Sequence, residues 1–309
     1  MPVPLSRRAV ILGTTGVILT ACSRAKARSH GKIVVVNYPF YIDASTNRAF
    51  TDATGIEVEY HESAQPAKLA DIVAADVVIA DGVSGPVWAT TMVGIAWNGD
   101  RERGVDLTRF AQLFQPEQFG LVSLPNDMRV SLGIALLADG VDPQTVTLEQ
   151  ATATAGRLAN SVRIGQVVIG EPRDGPDEIT VARASDTVGT DRAFTVPAEG
   201  GLLFTDVMTA PTHQSSGNAA GAQQYIDFVQ QPAQLTERLR VVPTVIPGPD
   251  VLVPAVEHLL RRDAPAVLDD PRRNPAPDVR ARLRRFRSLT DDEQTEFDAL
   301  FESVVKAAR

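Results

Sequence analysis

The chain has 309 residues, 44% of them hydrophobic, one cysteine and a formal net charge of −8 at pH 7. This length is enough for one large or two medium domains, and a single cysteine excludes an internal disulfide and a zinc site built from thiolates. The acidic balance argues against a nucleic-acid partner and favours a cationic one, although solubility alone would explain it equally well.

The first 22 residues have the pattern of an export signal. A twin-arginine pair, Arg7-Arg8, precedes an apolar run that is too short to span a bilayer, and Leu19-Thr20-Ala21-Cys22 matches a bacterial lipobox. We therefore expect Cys22 to be acylated and to anchor the protein at the outer face of the cell membrane or in the periplasm. A plain signal peptide with an incidental cysteine is the alternative. Residues 23–31 are polar and predict a flexible tether.

The segment after the tether alternates strands with helices. Strands are predicted at 32–37, 56–60 and 76–81, with a helix at 44–53 that Asp43 caps and Gly55 ends. This β-α-β-α-β rhythm predicts a parallel-sheet α/β domain. Tyr38 and Tyr41 directly follow the first strand, at the edge where open α/β sheets bind ligands.

The rest of the chain is also mixed. Strands are predicted at 88–98, 120–124, 165–170 and 179–184, and helices at 107–113, 127–139, 147–160, 217–230, 232–239 and 255–262. Residues 264–277 predict a loop or connector, and the arginines from Arg280 to Arg287 predict a solvated helix face. Thr290 to Glu293 predicts a capping box that begins the last helix.

The stretch from Pro197 to Pro211 organises these elements. Its adjacent glycines, Gly200 and Gly201, permit backbone angles or close approaches that a Cβ would block. In the apolar strand that follows, Phe204 and Asp206 lie two residues apart and therefore on one face. A carboxylate in such a strand needs a partner. It either bonds a neighbouring backbone group or forms, with the aromatic ring, half of a cation site.

No catalytic constellation is visible in the sequence. The four histidines show no metal-ligand spacing, and no nucleophile, Walker or dinucleotide-binding motif occurs. We therefore predict a non-enzyme without a metal or cofactor. A secreted hydrolase hidden in a diverged sequence is the remaining enzymatic alternative.

Three stretches together resemble the polyamine (spermidine/putrescine) branch of bacterial ABC-transporter solute-binding proteins. They are Val36 to Asp43 with Thr54 to Val58 after it, Asp76 to Ile79, and Pro197 to Pro211. The resemblance implies an α/β, two-lobed periplasmic-binding-protein-like (type II) fold with mixed sheets, a ligand cleft between the lobes, and a monomer that closes and docks on a membrane permease.

The resemblance also implies domain boundaries. Lobe one comprises residues 32–90 plus 204–250, and lobe two comprises 91–203 plus 251–309. Crossover strands near 88–96 and 199–206 join them.

Site residues are implied by the same resemblance. Tyr38, Tyr41 and Phe204, which stands where a tryptophan is usual, match ligand-sandwiching aromatics, while Asp206 and Asp127 match carboxylates that hold ammonium groups. Core packing is the alternative for the aromatics, and helix capping is the alternative for Asp127.

Further candidates are weaker because the sequence departs from the family there. They are Asp81, Ser185 in place of an aromatic, and Arg287 near a usual amide. Val83, Val130 and Val242 stand where family contacts are expected. The resemblance thus predicts a lipid-anchored ABC-importer receptor for a polyamine-like cation. The alternative is a degenerate cleft in a non-transport partner or sensor.

Overall fold

A computed structural model describes residues 31–82, 84–98, 107–115, 122–170, 179–211, 216–246 and 254–308. Its strands are β1 (Lys32–Asn37), β2 (Glu57–Glu62), β3 (Val77–Asp81), β4 (Val87–Asn98), β5 (Val122–Leu124), β6 (Val167–Ile169), β7 (Ile179–Arg183), β8 (Arg192–Thr195), β9 (Gly201–Thr209) and β10 (Leu283–Arg284). Its α-helices are α1 (Ala44–Thr54), α2 (Pro66–Val73), α3 (Met128–Ala138), α4 (Leu148–Arg163), α5 (Ser216–Val229), α6 (Pro232–Val241), α7 (Pro254–Asp263), α8 (Pro265–Asp269), α9 (Pro277–Ala281) and α10 (Asp291–Lys306).

The strands in the described part of the chain form one mixed sheet. Its order is β2-β1-β3-β9-β4-β7-β5-β6, with β10 beside β9 and β8 beside β4. Strands β2, β1 and β3 are parallel at one end, and β6, β5 and β7 are parallel at the other. Between them, β9 and β4 run antiparallel to each other. The predicted α/β class with mixed pairing is confirmed.

Two large hydrophobic clusters lie at the two ends of this sheet. One contains side chains of β1, β3, α1 and α5, and the other contains side chains of β5, β7, α3, α4 and α10. Strands β4 and β9 contribute to both, with Trp88 and Met208 in the first cluster and Val93 and Leu202 in the second. The middle of the sheet therefore joins two separately packed halves. The lobe boundaries given above stay a prediction.

Helix ends follow the local chemistry of the sequence. Asp43 caps α1, and Gly55 ends it in a left-handed conformation with φ 76°. The capping box from Thr290 to Glu293 begins α10 as predicted, and Phe297 and Val304 of that helix are fully buried.

Several predicted elements were wrong or missing. The predicted loop at 264–277 contains the short helix α8, and the strand β8 was not predicted. The proline-led helix α2 is the second helix of the predicted β-α-β-α-β rhythm. Residues 280–287 do not form a helix face, because α9 ends at Ala281 and β10 then pairs with Gly201 and Leu202.

Candidate ligand-binding site

A cavity of about 400 Å³ lies where β1 and β3 end and β4 and β9 cross the middle of the sheet. Its lining combines rings, carboxylates, hydroxyls and guanidinium groups: Tyr38, Pro39, Tyr41, Asp81, Thr91, Asp127, Arg129, Arg183, Ser185, Asp186, Phe204 and Asp206. This is the edge at which ligands bind open α/β sheets. The cavity brings together seven of the predicted ligand-binding residues: Tyr38, Tyr41, Asp81, Asp127, Ser185, Phe204 and Asp206.

Tyr38 and Tyr41 form an aromatic corner directly after β1. Their ring centroids are 5.7 Å apart in an edge-to-face arrangement, and Trp88 Nε1 donates a hydrogen bond to the Tyr41 carbonyl at 3.1 Å. Burial, reinforced by the charge of Asp206, raises the pKa of Tyr38 to about 12 and raises the pKa of Tyr41 further. Both phenols therefore stay neutral at physiological pH and can donate hydrogen bonds.

Asp206 is the buried carboxylate that the strand pattern singles out. It is 8% exposed and accepts a hydrogen bond from the Tyr41 hydroxyl at 3.0 Å. Burial raises its pKa to about 6, because the charged form loses solvation. The hydroxyl group that stabilises Asp206 thus belongs to Tyr41, a residue far away in sequence.

Asp81 stands directly opposite Asp206 in the antiparallel pairing of β3 with β9. Opposite residues share a face of the sheet, and both side chains line the cavity. Burial also raises the pKa of Asp81, and its charge raises the pKa of Asp206. Two partly desolvated carboxylates at one end of the cavity make that end suited to a cation.

Phe204 lies on the same face as Asp206, as the period of the strand predicts. It is 9% exposed and belongs to the second hydrophobic cluster, so it packs in the core and also lines the cavity. The guanidinium carbon of Arg183 lies 4.6 Å from the centre of its ring. The predicted cation-binding ring therefore already carries a cation of the protein itself.

Asp127 has two interactions. It caps α3 by accepting a hydrogen bond from the Val130 amide at 3.1 Å, and it pairs with Arg183 at 3.4 Å. The capping role that the sequence left open is therefore observed, and the same carboxylate lines the cavity. Ser185 donates to Asp186 at 3.2 Å and lies 3.3 Å from the Thr91 hydroxyl.

Arg287 does not line this cavity. Its guanidinium donates to the Val146 carbonyl at 2.8 Å and to both carboxylate oxygens of Glu293, at 3.0 Å and 2.8 Å. This pairing lowers the pKa of Glu293 to about 2. The contacts tie the segment before α10 to that helix, as expected for a structural residue.

The remaining predicted positions are placed as follows. Val130 and Val242 are both buried, and Val83 lies outside the described residues. Cys22 and the export signal also lie outside them.

Sequence reasoning missed two arginines of the cavity, Arg183 and Arg129. Arg183 is the last residue of β7, so a polar residue at a strand end was the available signal. Arg129 follows Asp127 in the first turn of α3 and donates to Gln294 Oε1 at 2.8 Å. With these side chains, the lining of the cavity carries guanidinium groups as well as carboxylates.

Two neighbouring cavities continue the cleft. One of about 610 Å³ shares Asp127, Arg183 and Asp186 with the central cavity, and one of about 230 Å³ shares Asp81, Arg129 and Phe204. Within the described ranges, no cluster of three metal-ligating side chains occurs, and no helix has the length and apolar character needed to cross a bilayer.

No protein-family model matches the sequence. The spermidine/putrescine-binding periplasmic protein 1 of Haemophilus influenzae is 29% identical in an alignment 151 residues long that covers 44% of this chain and 40% of that protein. The match to this relative confirms the predicted family resemblance. The match spans less than half the length of this curated relative.

Solved structures confirm the periplasmic-binding-protein type II fold over most of the chain. A putative spermidine/putrescine ABC transporter from Listeria monocytogenes superposes with a TM-score of 0.71 at 16% identity, covering 88% of this chain and 98% of that one. The PBP AgtB from A. tumefaciens R10, in complex with agropinic acid, gives a TM-score of 0.56 at 22% identity, covering 91% and 99%.

Proposed function

We propose that this protein is a solute-binding receptor of an ABC importer and that it takes a polyamine-like cation in the cavity between β1, β3 and β9. The observation that carries the proposal is the pairing of Asp81 with Asp206 beside the rings of Tyr38 and Tyr41. The sequence relatives and the shared fold support the receptor class.

An ammonium group fits the acidic end of the cavity. Between Asp81 and Asp206 it would neutralise two carboxylates whose charged forms burial disfavours. The adjacent faces of Tyr38 and Tyr41 offer apolar contact to methylene groups and cation–π contact to the charge. Such contacts strengthen as the cavity is closed to water.

The proposal includes the cellular setting. We propose an exported monomer that Cys22 anchors by lipid at the outer face of the membrane or in the periplasm, where an ABC permease receives the loaded receptor. The lipobox pattern before Cys22 and the periplasmic naming of the relative support this setting. Catalysis has no part in it.

A second candidate keeps the fold and removes transport. In that case the cleft is degenerate and the protein acts as a partner or sensor lipoprotein. The Arg183 guanidinium lies over the Phe204 ring, where the sequence predicts a ligand cation, and this contact favours the second candidate. A pull-down that recovers a partner other than a permease would separate it from the receptor.

The receptor proposal is tested by calorimetry with putrescine and spermidine. We expect heat of binding and a raised melting temperature for the wild type, and at least about tenfold weaker binding for Asp206→Asn, because this variant loses a desolvated charge partner. Asp52→Asn, at an exposed position of α1, is the matched control and should bind as the wild type does. No heat and no melting shift at millimolar ligand would contradict the proposed ligand class.

A further inference from the structure

Arg183 contacts two of the groups that the family resemblance assigns to a bound polyamine, the Phe204 ring and the Asp127 carboxylate. Its guanidinium lies 4.6 Å from the centre of the Phe204 ring and 3.4 Å from an oxygen of Asp127. A ring face and a carboxylate are the partners that an ammonium would seek there. The protein thus supplies its own cation at this position.

The contacts of Arg183 leave donors available to a ligand. A guanidinium has five N–H donors, and among the described residues the only hydrogen bond of the Arg183 side chain is the long one to Asp127. The side chain is 36% exposed and lines both the central cavity and the neighbouring cavity of about 610 Å³. Its unused N–H groups therefore face space that a ligand can enter.

The two ends of the central cavity differ in charge. At one end Asp81 and Asp206 stand opposite each other, and neither accepts a hydrogen bond from an arginine in the part of the chain described. Where Asp127 lines the cavity, Arg183 balances that carboxylate and covers the Phe204 ring. A second ammonium there would meet Arg183 at close range, whereas a hydrogen-bond acceptor would meet its donors.

We infer that Arg183 replaces the second cation of a diamine, so that the ligand carries one ammonium group and, at its far end, a carboxylate or a similar acceptor. The ammonium lies between Asp81 and Asp206, and the acceptor faces Arg183. This inference rests on the proposed receptor function and changes its ligand class, since an acceptor replaces the second ammonium of a polyamine-like ligand.

Two probes of equal length test this inference. Cadaverine has an ammonium at each end of five carbons, and 5-aminopentanoate has one ammonium and one carboxylate. By calorimetry, wild type should bind 5-aminopentanoate at least tenfold more tightly than cadaverine. In Arg183→Gln that ratio should fall at least tenfold, with cadaverine binding more tightly than it does to wild type.

Two further variants separate charge from geometry. Arg183→Lys keeps the charge beside Phe204 and should still disfavour cadaverine. Arg163→Gln makes the same charge change at the exposed end of α4 and should leave the ratio unchanged. Melting temperatures establish that each variant is folded.

The outcomes distinguish this inference from the proposal beneath it. Tighter binding of cadaverine to wild type, or an unchanged ratio in folded Arg183→Gln, would overturn the role of Arg183 and leave the receptor standing. If neither probe binds either protein while putrescine or spermidine does, the inference fails and the receptor stands; if none of these four ligands binds, the receptor function fails and the inference fails with it.

Discussion

At the scale of single residues, the cost of burying Asp206 organises the site. A carboxylate that is 8% exposed loses most of its solvation, and the Tyr41 hydroxyl returns one hydrogen bond at 3.0 Å. The pKa of about 6 is the net result of that burial, the hydrogen bond and the nearby charges. Without a ligand, the Asp206 carboxyl group therefore changes its charge just below neutral pH.

Affinity for an ammonium ligand should consequently fall in mild acid. Ionised Asp206 attracts the ligand and protonated Asp206 does not, so affinity approaches its full value at neutral pH and is lost as the pH falls through about 6. One unit below that pKa only about a tenth of the groups are ionised, which predicts roughly tenfold weaker binding at pH 5 than at pH 7.5. Calorimetry at the two pH values measures this change.

Tyr41→Phe sharpens the same test. Loss of the hydroxyl that stabilises the ionised form should raise the Asp206 pKa and move the midpoint of the pH dependence upward. Asp206→Asn should bind weakly with a flatter pH profile, because the amide does not titrate. A wild-type affinity that is equal at pH 5 and pH 7.5 would rule out Asp206 as the charge partner.

At the scale of elements, the start of β9 depends on its two glycines. Gly200 has φ 109°, and a Cβ on it would collide with the Arg282 carbonyl oxygen. A Cβ on Gly201 would lie 2.5 Å from the Val93 carbonyl oxygen. These close approaches allow β9 to pair with β4 and β10 together. The predicted need for glycine here is confirmed.

Gly200→Ala should destabilise the protein by more than about 1 kcal/mol, because the new side chain meets both a strained φ and the Arg282 backbone. The matched change Gly156→Ala, at an exposed site inside α4 with open space around it, should stabilise by about 0.5–1 kcal/mol. Urea unfolding measures both. Equal effects of the two substitutions would contradict the close packing at Gly200.

The arginine-rich segment shows where element prediction failed. The run of arginines from Arg280 to Arg287 predicts a solvated helix face, yet Arg280 donates to the Ile246 carbonyl at 2.7 Å and Arg282 donates to the Val196 carbonyl at 3.0 Å. These carbonyls come from distant parts of the chain. Side chains with long stems and several donors can satisfy such groups in place of water, and a one-dimensional charge pattern does not reveal this.

At the scale of the whole molecule, β4 and β9 are shared by two hydrophobic clusters, and the candidate cavity lies beside them. A ligand there would contact side chains from both halves, such as Tyr41 on one side and Asp127 on the other. This arrangement is suited to closure around a ligand, which stays a prediction.

Localisation is a property of the whole chain and rests on the proposed anchor at Cys22. Treatment of the producing cells with globomycin, which blocks the lipoprotein signal peptidase, should cause the precursor to accumulate. Cys22→Ser should release the protein from the membrane fraction, because no thiol remains to be acylated. Unchanged processing together with unchanged membrane association of the variant would refute the anchor.

Local patterns alone determined the α/β class, the strand at the centre of the sheet, the helix caps, and the placing of Phe204 with Asp206 on one face. Those features follow from side-chain periodicity and from hydrogen bonds between near neighbours. The tertiary structure alone decided that Tyr41 would bond Asp206, that Arg183 would cover Phe204, and that Arg287 would turn to Glu293. Tyr41 and Asp206 belong to different strands and loops, as do Arg183 and Phe204, so each pair forms only once the halves of the sheet have packed. Arg287 is near Glu293 in the chain, but the packing of the segment before α10 directs its side chain to that partner.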